Sequence, residues 1–480
     1  MSKTKINPGV FRAYDIRGIY KKDINEDLFR KIGFVLGAKN KIFLVGNDVR
    51  KSGRKLSQAL IEGLNSAGAE VICSGTTSIG QAFFTGWQLK VDKSLFITAS
   101  HLPPEWNGLK IYLGNGGVFP EKAIKKLRDD VLKIENKKIK NRASKGSEGE
   151  EESEALFAFQ KAKFKKVDMK KEYIDFFLKK FSNLKNNNLR MAVDCGNGAM
   201  SLVAPEVFQK VGFKVLKLYC RPSPNFPNRT SEPTFEATKS LRKLVVSKKA
   251  DFGVAFDGDG DRAVLIDDKG RYLKGDQLGI VIAKLMLKNS KNKKIVATLP
   301  CSMALEEQLK GAKIFRIPVG HTFVILNCQK RKALFGMEES GHFCLPQYFL
   351  FDDAILIPFK IAEAILDEKK KLSEIINKIK IYPYQEIKFD CPDEIKFKVL
   401  KNLSQLFLKK YRKVNRIDGL KVNLNSGWIL IRPSNTSPIL RLYVEAKSKS
   451  ELKNLKEKFS KILKKEIENL SGCPLKISNL

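Results

Sequence analysis

Residues 254–262 read Val-Ala-Phe-Asp-Gly-Asp-Gly-Asp-Arg. An apolar run, Phe252–Phe256, leads straight into three aspartates spaced by glycines and closed by an arginine. The apolar run reads as a strand and the glycines as the loop after it. Three carboxylates within five residues repel one another unless a cation sits among them. Asp257, Asp259 and Asp261 can turn their oxygens to one side of an extended, glycine-loosened turn, the hard-oxygen setting that Mg²⁺ takes, with phosphate or water completing the shell. The competing reading is a solvated acidic turn, since Asp-Gly is ordinary turn chemistry. An EF-hand loop is excluded because its sixth position must be glycine and here holds Arg262.

The same strand-then-loop rhythm runs outward in both directions. Lys41–Gly46, Glu70–Cys73 and Ser94–Thr98 read as strands and Arg54–Ala67 as an amphipathic helix. The pattern resumes at Arg190–Asp194 and Lys214–Leu218, and again at Lys294–Leu299 and Ala333–Gly336. Strands alternating with helices predict βαβ units and mostly parallel sheets, whose ligands bind at the carboxyl ends of strands. The loops after Thr98 and Phe256 are therefore where chemistry is expected. Strand-like runs at Gly427–Arg432 and Ile439–Ala446, before a lysine-rich helix at Ser450–Leu470, predict a smaller α+β domain at the end. Glu135–Lys166, with its lysines, serines and acidic run, reads as a charged surface linker.

Bulk properties narrow the class. A chain of 480 residues exceeds one core and predicts three or four domains. No apolar run reaches the ~18 residues of a membrane helix, and the opening residues lack the apolar core of a secretion signal, so a soluble cytoplasmic protein is expected. None of the eight cysteines forms a CxxC pair, which fits reduced thiols and neither zinc nor a disulfide framework. The net charge of +37 raises the question of nucleic acid. The lysines, however, are spread over nearly every segment, as residue bias would spread them. Specific nucleic-acid binding is not expected, and attraction of anionic metabolites is the simpler use of such a field.

Three further loops carry chemistry. Thr98–Lys110 (TASHLPPEWNGLK) puts Ser100 at a strand's end beside His101, with Lys110 able to fold back across a Pro-Pro and Asn-Gly turn. Gly336–His342 (GMEESGH) clusters Glu338, Ser340 and His342, suited to sugar hydroxyls, although the acidic pair also suits a helix N-terminus. Arg432–Pro438 (RPSNTSP) gathers a guanidinium, hydroxyls and an amide, an anion cradle or a polar hairpin. The only three histidines, His101, His321 and His342, each fall in a glycine- or proline-rich stretch after an apolar run.

Taken together, the ordered motifs TASHLPPEWNGLK, DGDGDR, GMEESGH and RPSNTSP resemble the α-D-phosphohexomutase superfamily, most of all its phosphomannomutase/phosphoglucomutase branch. Phe11–Gly18 (FRAYDIRG), Phe226–Asn228, Val319–His321 and Phe351–Ala354 (FDDA) are similar to that branch as well. The resemblance implies three successive mixed α/β domains and a smaller α+β domain around a central cleft, at 1–166, 167–272, 273–384 and 385–480. It implies that Ser100 carries a phosphate; that Asp257, Asp259, Asp261 and that phosphate hold one Mg²⁺; and that phosphate moves between a hexose phosphate and Ser100 through a hexose 1,6-bisphosphate. Lys110, His101 and Arg262 would stabilise charge or shuttle protons. Glu338 and Ser340 would read sugar hydroxyls, with His321 and His342 lining the pocket. Arg432, Ser434, Asn435 and Thr436 would hold the other phosphate, with Tyr14 and Arg17 closing the far side and residues ~385–480 closing over the ligand. A monomer or small homo-oligomer would act on small hexose phosphates. Two departures stand out: Leu102 replaces the usual asparagine, and Glu339 the methionine common in this branch. Phosphoglucosamine mutase shares all four motifs and is the enzyme alternative. A basic binding protein that has kept the fold is the non-enzyme one.

Overall fold

The computed structural model describes residues 6–134, 163–288, 290–434 and 438–472. It divides into two compact units: residues 1–274 with 341–375, and residues 275–340 with 376–480. Three mixed α/β domains are followed by a domain built on an antiparallel sheet.

The first unit holds two sheets. Strands β1 (Asp15–Ile19), β2 (Ile42–Asn47), β3 (Glu70–Thr76), β4 (Lys93–Ile97), β5 (Trp106–Leu113) and β6 (Lys165–Lys166) are ordered β1-β5-β4-β2-β3-β6. The β2–β3, β2–β4 and β3–β6 pairs are parallel, whereas β5 runs antiparallel to both neighbours. The mostly parallel expectation is thus corrected to a mixed sheet. Only residues 98–105 join β4 to β5, too few for a crossover helix, so the chain must return antiparallel. Lys165–Lys166, expected as linker, instead add an edge strand beside Ile72–Cys73. The rest of that linker, 135–162, lies outside the described residues. The helices Glu26–Leu36 and Gly53–Ser66 cross closely because neither has a side chain at the contact: a Cβ on Gly63 would stand 2.0 Å from the Arg30 carbonyl.

In the second sheet, β7 (Arg190–Asp194), β8 (Lys214–Leu218), β9 (Phe252–Phe256), β10 (Ala263–Asp267) and β11 (Tyr272–Leu273) are ordered β11-β10-β9-β7-β8. Every residue of β9 is buried, as a near-continuous apolar run at a sheet's centre requires. Aromatic side chains explain why residues 341–375 belong to this unit. Phe359 stacks on Phe181 with centroids 4.5 Å apart and lies 5.2 Å from Phe208, while Tyr173 packs on Phe177 at 4.9 Å.

The second unit contains β12 (Lys294–Thr298), β13 (Lys313–Ile317) and β14 (Phe335–Met337), with β12 parallel to both others. The strand β15 (Phe343–Cys344) follows in the stretch assigned to the first unit. The last domain pairs β16 (Tyr384–Asp390), β17 (Val414–Asn415), β18 (Leu420–Leu424), β19 (Gly427–Pro433) and β20 (Ile439–Ala446) in the order β16-β20-β19-β18-β17, all antiparallel. Its core takes Val399, Leu403 and Phe407 from one helix and Leu455, Phe459, Leu463 and Ile467 from another, all at helical spacing. The second helix, Lys449–Ser471, starts where Ser448 accepts from the Glu451 N–H and stops at Gly472 in the left-handed region. No helix among the described residues is long and apolar enough to cross a membrane.

One buried acid ties the first unit together. Asp353, 1% exposed, accepts a 2.6 Å hydrogen bond from the Tyr173 hydroxyl and another from the Ile355 N–H. Burial pushes its pKa up to about 7, although both hydrogen bonds act in the opposite direction. A carboxyl more basic folded than unfolded lends stability that is complete below its unfolded value and is lost as pH rises through about 7. Asp353→Asn should therefore melt below wild type at pH 5 and close much of that gap at pH 8. An equal gap at both pH values in thermal melts would contradict this assignment.

Candidate active site

Three strand ends of the first unit converge. The loop after β4 places Ser100, that after β9 the aspartates, and that after β2 Asp48 and Arg50. Gly258 lets the first two touch, since a Cβ there would lie 2.3 Å from the Ser100 carbonyl. The aspartate loop is braced from behind: Arg229 pairs with Asp194 at the end of β7 and donates to the Phe256 carbonyl at 2.7 Å. The Ala199 N–H donates to the Gly258 carbonyl at 2.9 Å.

Ser100 has φ +50°, left-handed backbone that a residue with a side chain adopts at a cost of about 1–2 kcal/mol. Its hydroxyl donates to Asp257 Oδ2 at 2.7 Å, and its N–H donates to Thr98 Oγ1 at 2.8 Å. Oγ also lies 3.4 Å from His101 Nδ1. Thr98 Oγ1 in turn stands 2.8 Å from Asp48 and 3.0 Å from Asp259.

All three aspartates are buried, at 0–2% exposure, and one ligand oxygen from each lies within 4.8 Å of the others. Lys110 Nζ donates to Asp259 Oδ2 at 2.9 Å and also to Asp261 Oδ2. Arg262 reaches Asp257 Oδ2 at 3.3 Å, and Arg17, held by Asp15 at 2.8 Å, adds positive charge facing Asp259 and Asp261. Burial and the other two aspartates push Asp257 up to about 7. Burial raises Asp261 too. It works against Asp259 as well, but Lys110, Arg17 and the Thr98 hydroxyl outweigh it and hold that carboxylate below the usual range. Burial, then Arg262, Arg17 and Lys110, drive His101 down to about 2, so its ring is neutral.

These residues fit a divalent cation. Asp259 Oδ1 and Asp261 Oδ1 are buried and accept no hydrogen bond, which is costly for a carboxylate oxygen unless another partner claims it. The donor set is oxygen only, which suits Mg²⁺ and not a thiol- or imidazole-seeking metal.

The second unit gathers a different group. Asp418 Oδ2 accepts from Arg432 Nε and from the Val319 N–H, both at 2.8 Å. Glu338, 6% exposed, accepts from the Gly320 N–H at 3.1 Å. One carboxylate thus links the Val319–His321 stretch to Arg432, while Glu338 anchors the adjoining glycine. His321 opens the helix His321–Arg331, so it sits at a helix start and not in the expected loop. Ser434 is buried, donates its N–H to Ile439 and accepts from Lys396 Nζ at 2.9 Å. Ser340 is exposed. His342 belongs to the first unit, where its Nδ1 stands 3.3 Å from Asp352. Asn435 and Thr436 lie outside the described residues. Within FDDA, Asp353 accepts from Tyr173 in the core and Asp352 faces His342.

The four stretches of the chain match, in order, four family descriptions: phosphoglucomutase/phosphomannomutase alpha/beta/alpha domain I over residues 8–138, domain II over 171–270, domain III over 274–382 and the C-terminal domain over 386–462. The chain belongs to the phosphoglucomutase/phosphomannomutase family. It is 32% identical over 478 residues to a phosphoglucomutase/phosphomannomutase of Thermococcus kodakarensis, covering 96% of this chain and 99% of the relative. It is also 32% identical to a phosphoglucosamine mutase of Methanocaldococcus jannaschii, over 96% of this chain and all of the relative, or 100%. A solved family protein from Burkholderia thailandensis superposes with a TM-score of 0.83 at 25% identity, covering 96% of this chain and 98% of that one. Phosphohexomutase activity follows from this membership, and the sugar does not, because the relatives' names divide between hexoses.

Reading the motifs alone missed Asp48, Arg50, Thr98, Arg229 and Asp418. The strand-end rule that singled out the loops after Thr98 and Phe256 applies equally to the loop after β2, where Asp48 and Arg50 lie. Asp418 is signalled only by an Asp-Gly turn. The contact at Gly258 generates a direct expectation. Gly258→Ala should lower mutase kcat by about 100-fold, since a side chain there must push the serine and aspartate loops apart. Steady-state kinetics beside a thermal melt will read it, and near-wild-type kcat would show the contact to be unimportant.

Proposed function

We propose that this mutase interconverts hexose 1-phosphate and hexose 6-phosphate, of glucose or mannose, through a phosphate carried on Ser100 and a hexose 1,6-bisphosphate. The observation that carries the reading is Ser100 Oγ at 2.7 Å from Asp257, inside a carboxylate cluster with two unclaimed oxygens. In one half-reaction a sugar hydroxyl attacks the phosphorus on Ser100: an O–P bond forms, the Ser100 O–P bond breaks, and the hydroxyl's proton ends on the freed Ser100 Oγ. In the other, Ser100 Oγ attacks the phosphate that the sugar first carried: a Ser100 O–P bond forms, that sugar O–P bond breaks, and the serine's proton ends on the sugar oxygen.

Asp257, Asp259 and Asp261 would hold one Mg²⁺, which when bound neutralises charge on the transferring phosphoryl group. Asp257 fixes the serine hydroxyl. Lys110, Arg262 and Arg17 surround the carboxylates with positive charge and so favour the phosphorylated serine. His101 acts as a neutral hydrogen-bonding group beside Oγ. Glu338, Ser340, His321 and His342 are assigned to the sugar. Arg432, Ser434, Asn435 and Thr436, with Tyr14 and Arg17, are assigned to the phosphate that does not react. The four domains are assigned to 1–166, 167–272, 273–384 and 385–480, and the working site to the cytoplasm.

Glucosamine phosphate is the second reading, favoured by the equal 32% identity of the Methanocaldococcus jannaschii relative. Comparing kcat/KM for glucose, mannose and glucosamine phosphates, with Mg²⁺ and a hexose 1,6-bisphosphate present, separates them. A preference for glucosamine phosphate would overturn the sugar assignment. Intact mass should show a phosphorylated fraction that Ser100→Ala abolishes together with activity. Activity surviving in that variant would remove Ser100 as the carrier. EDTA should abolish turnover and added Mg²⁺ restore it. Unchanged turnover in EDTA would refute the assignment of the aspartate cluster.

A further inference from the structure

Arg50 is buried, at 2% exposure, in the loop between β2 and the helix Gly53–Ser66. A guanidinium offers five N–H donors in a fixed fork, and here all of them are engaged. Nε donates to Asp48 Oδ2 at 3.1 Å. Nη2 donates to the carbonyls of Ser100 at 2.8 Å and Leu102 at 2.6 Å. Nη1 donates to the carbonyls of Pro103 and, at 3.2 Å, Trp106. The cation also faces the Phe226 ring, 5.1 Å from its centroid. With every donor committed inside the protein, Arg50 has none for a ligand. Its four carbonyl partners run from the left-handed Ser100, in the connection after β4, to Trp106 at the start of β5.

We propose that Arg50 is a positioning residue that holds Ser100 in its left-handed conformation and thereby aims Oγ at the aspartate cluster, an inference resting on the Ser100 reading above. Left to itself the backbone at Ser100 relaxes toward right-handed or extended geometry, which swings Oγ away from Asp257. Two clamps oppose this. Thr98 Oγ1 holds the Ser100 N–H, and Arg50 holds its carbonyl. Asp48 orients both, accepting from Arg50 Nε and standing 2.8 Å from Thr98 Oγ1. Leu102, where the family usually has asparagine, is held through its backbone. Its carbonyl accepts from Arg50 and from Ser231 Oγ at 3.0 Å, so these two donors hold the loop whatever side chain stands at 102.

Arg50→Met and Arg50→Lys test this. Lysine keeps the charge but donates from a single point and cannot span four carbonyls. Both variants should lose about 100-fold in kcat, the order a misplacement near 1 Å costs. KM for the hexose phosphate should stay within about threefold, because no ligand contact is removed. A variant of wild-type melting temperature that keeps kcat within about threefold, or that loses KM in place of kcat, overturns the proposal. Wild-type kcat in Arg50→Lys alone would show that charge and not the fork matters, and would overturn it equally. If neither variant folds, Asp48→Asn decides. It should lower kcat about tenfold with KM unchanged, and an unaltered kcat would refute the clamp. Failure of the underlying reading looks different, since wild type itself would then carry no phosphate on Ser100.

Discussion

Three carboxylates buried within 4.8 Å of one another are the condition the rest of the first unit answers. Like charges at that separation cannot all remain ionised out of water without counter-charges. Lys110, Arg262 and Arg17 supply these from three separate stretches of chain, and two carboxylate oxygens are still left unclaimed. β5 must run antiparallel beside β4 and β1 for Lys110 to arrive there, and β1 must pair with β5 for Arg17 to do so. Asp15 pairs with Lys110 across that register. The sheet order and the charge balance are thus one constraint seen at two scales.

Much of this was legible in the chain. β9 announced itself because a central strand is apolar on both faces, and the aspartate loop because glycines and like charges seldom coincide without a reason. Ile439–Ala446 was read to the residue, since alternation and a proline bounded it. What escaped has a common cause. Arg50, Thr98 and Arg229 act by donating to backbone carbonyls or bridging carboxylates far away in sequence, and nothing in local spacing encodes such partners. The direction of β5 escaped because periodicity marks a strand without marking which way it runs. The FDDA segment is legible in another way. It stands out in the sequence only as a likeness to the branch, and spacing gives no sign that Asp353 accepts from Tyr173.

The second unit shows the same economy with fewer charges. Asp418 draws the Val319 backbone and the Arg432 guanidinium together, so the stretch carrying His321 and the end of β19 carrying Arg432 share one anchor. Gly419, next to it at φ +82°, leaves no room for a Cβ, which would meet the Ile431 carbonyl at 2.3 Å. The turn that presents Asp418 is therefore fixed by its neighbour's lack of a side chain.

The partly buried Leu102 bears on how such a site can change over time. Its main chain is gripped at the carbonyl by two donors, so that hold on the loop does not run through the side chain. Position 102 is consequently a place where descent can sample side chains without rebuilding the nucleophile beside it.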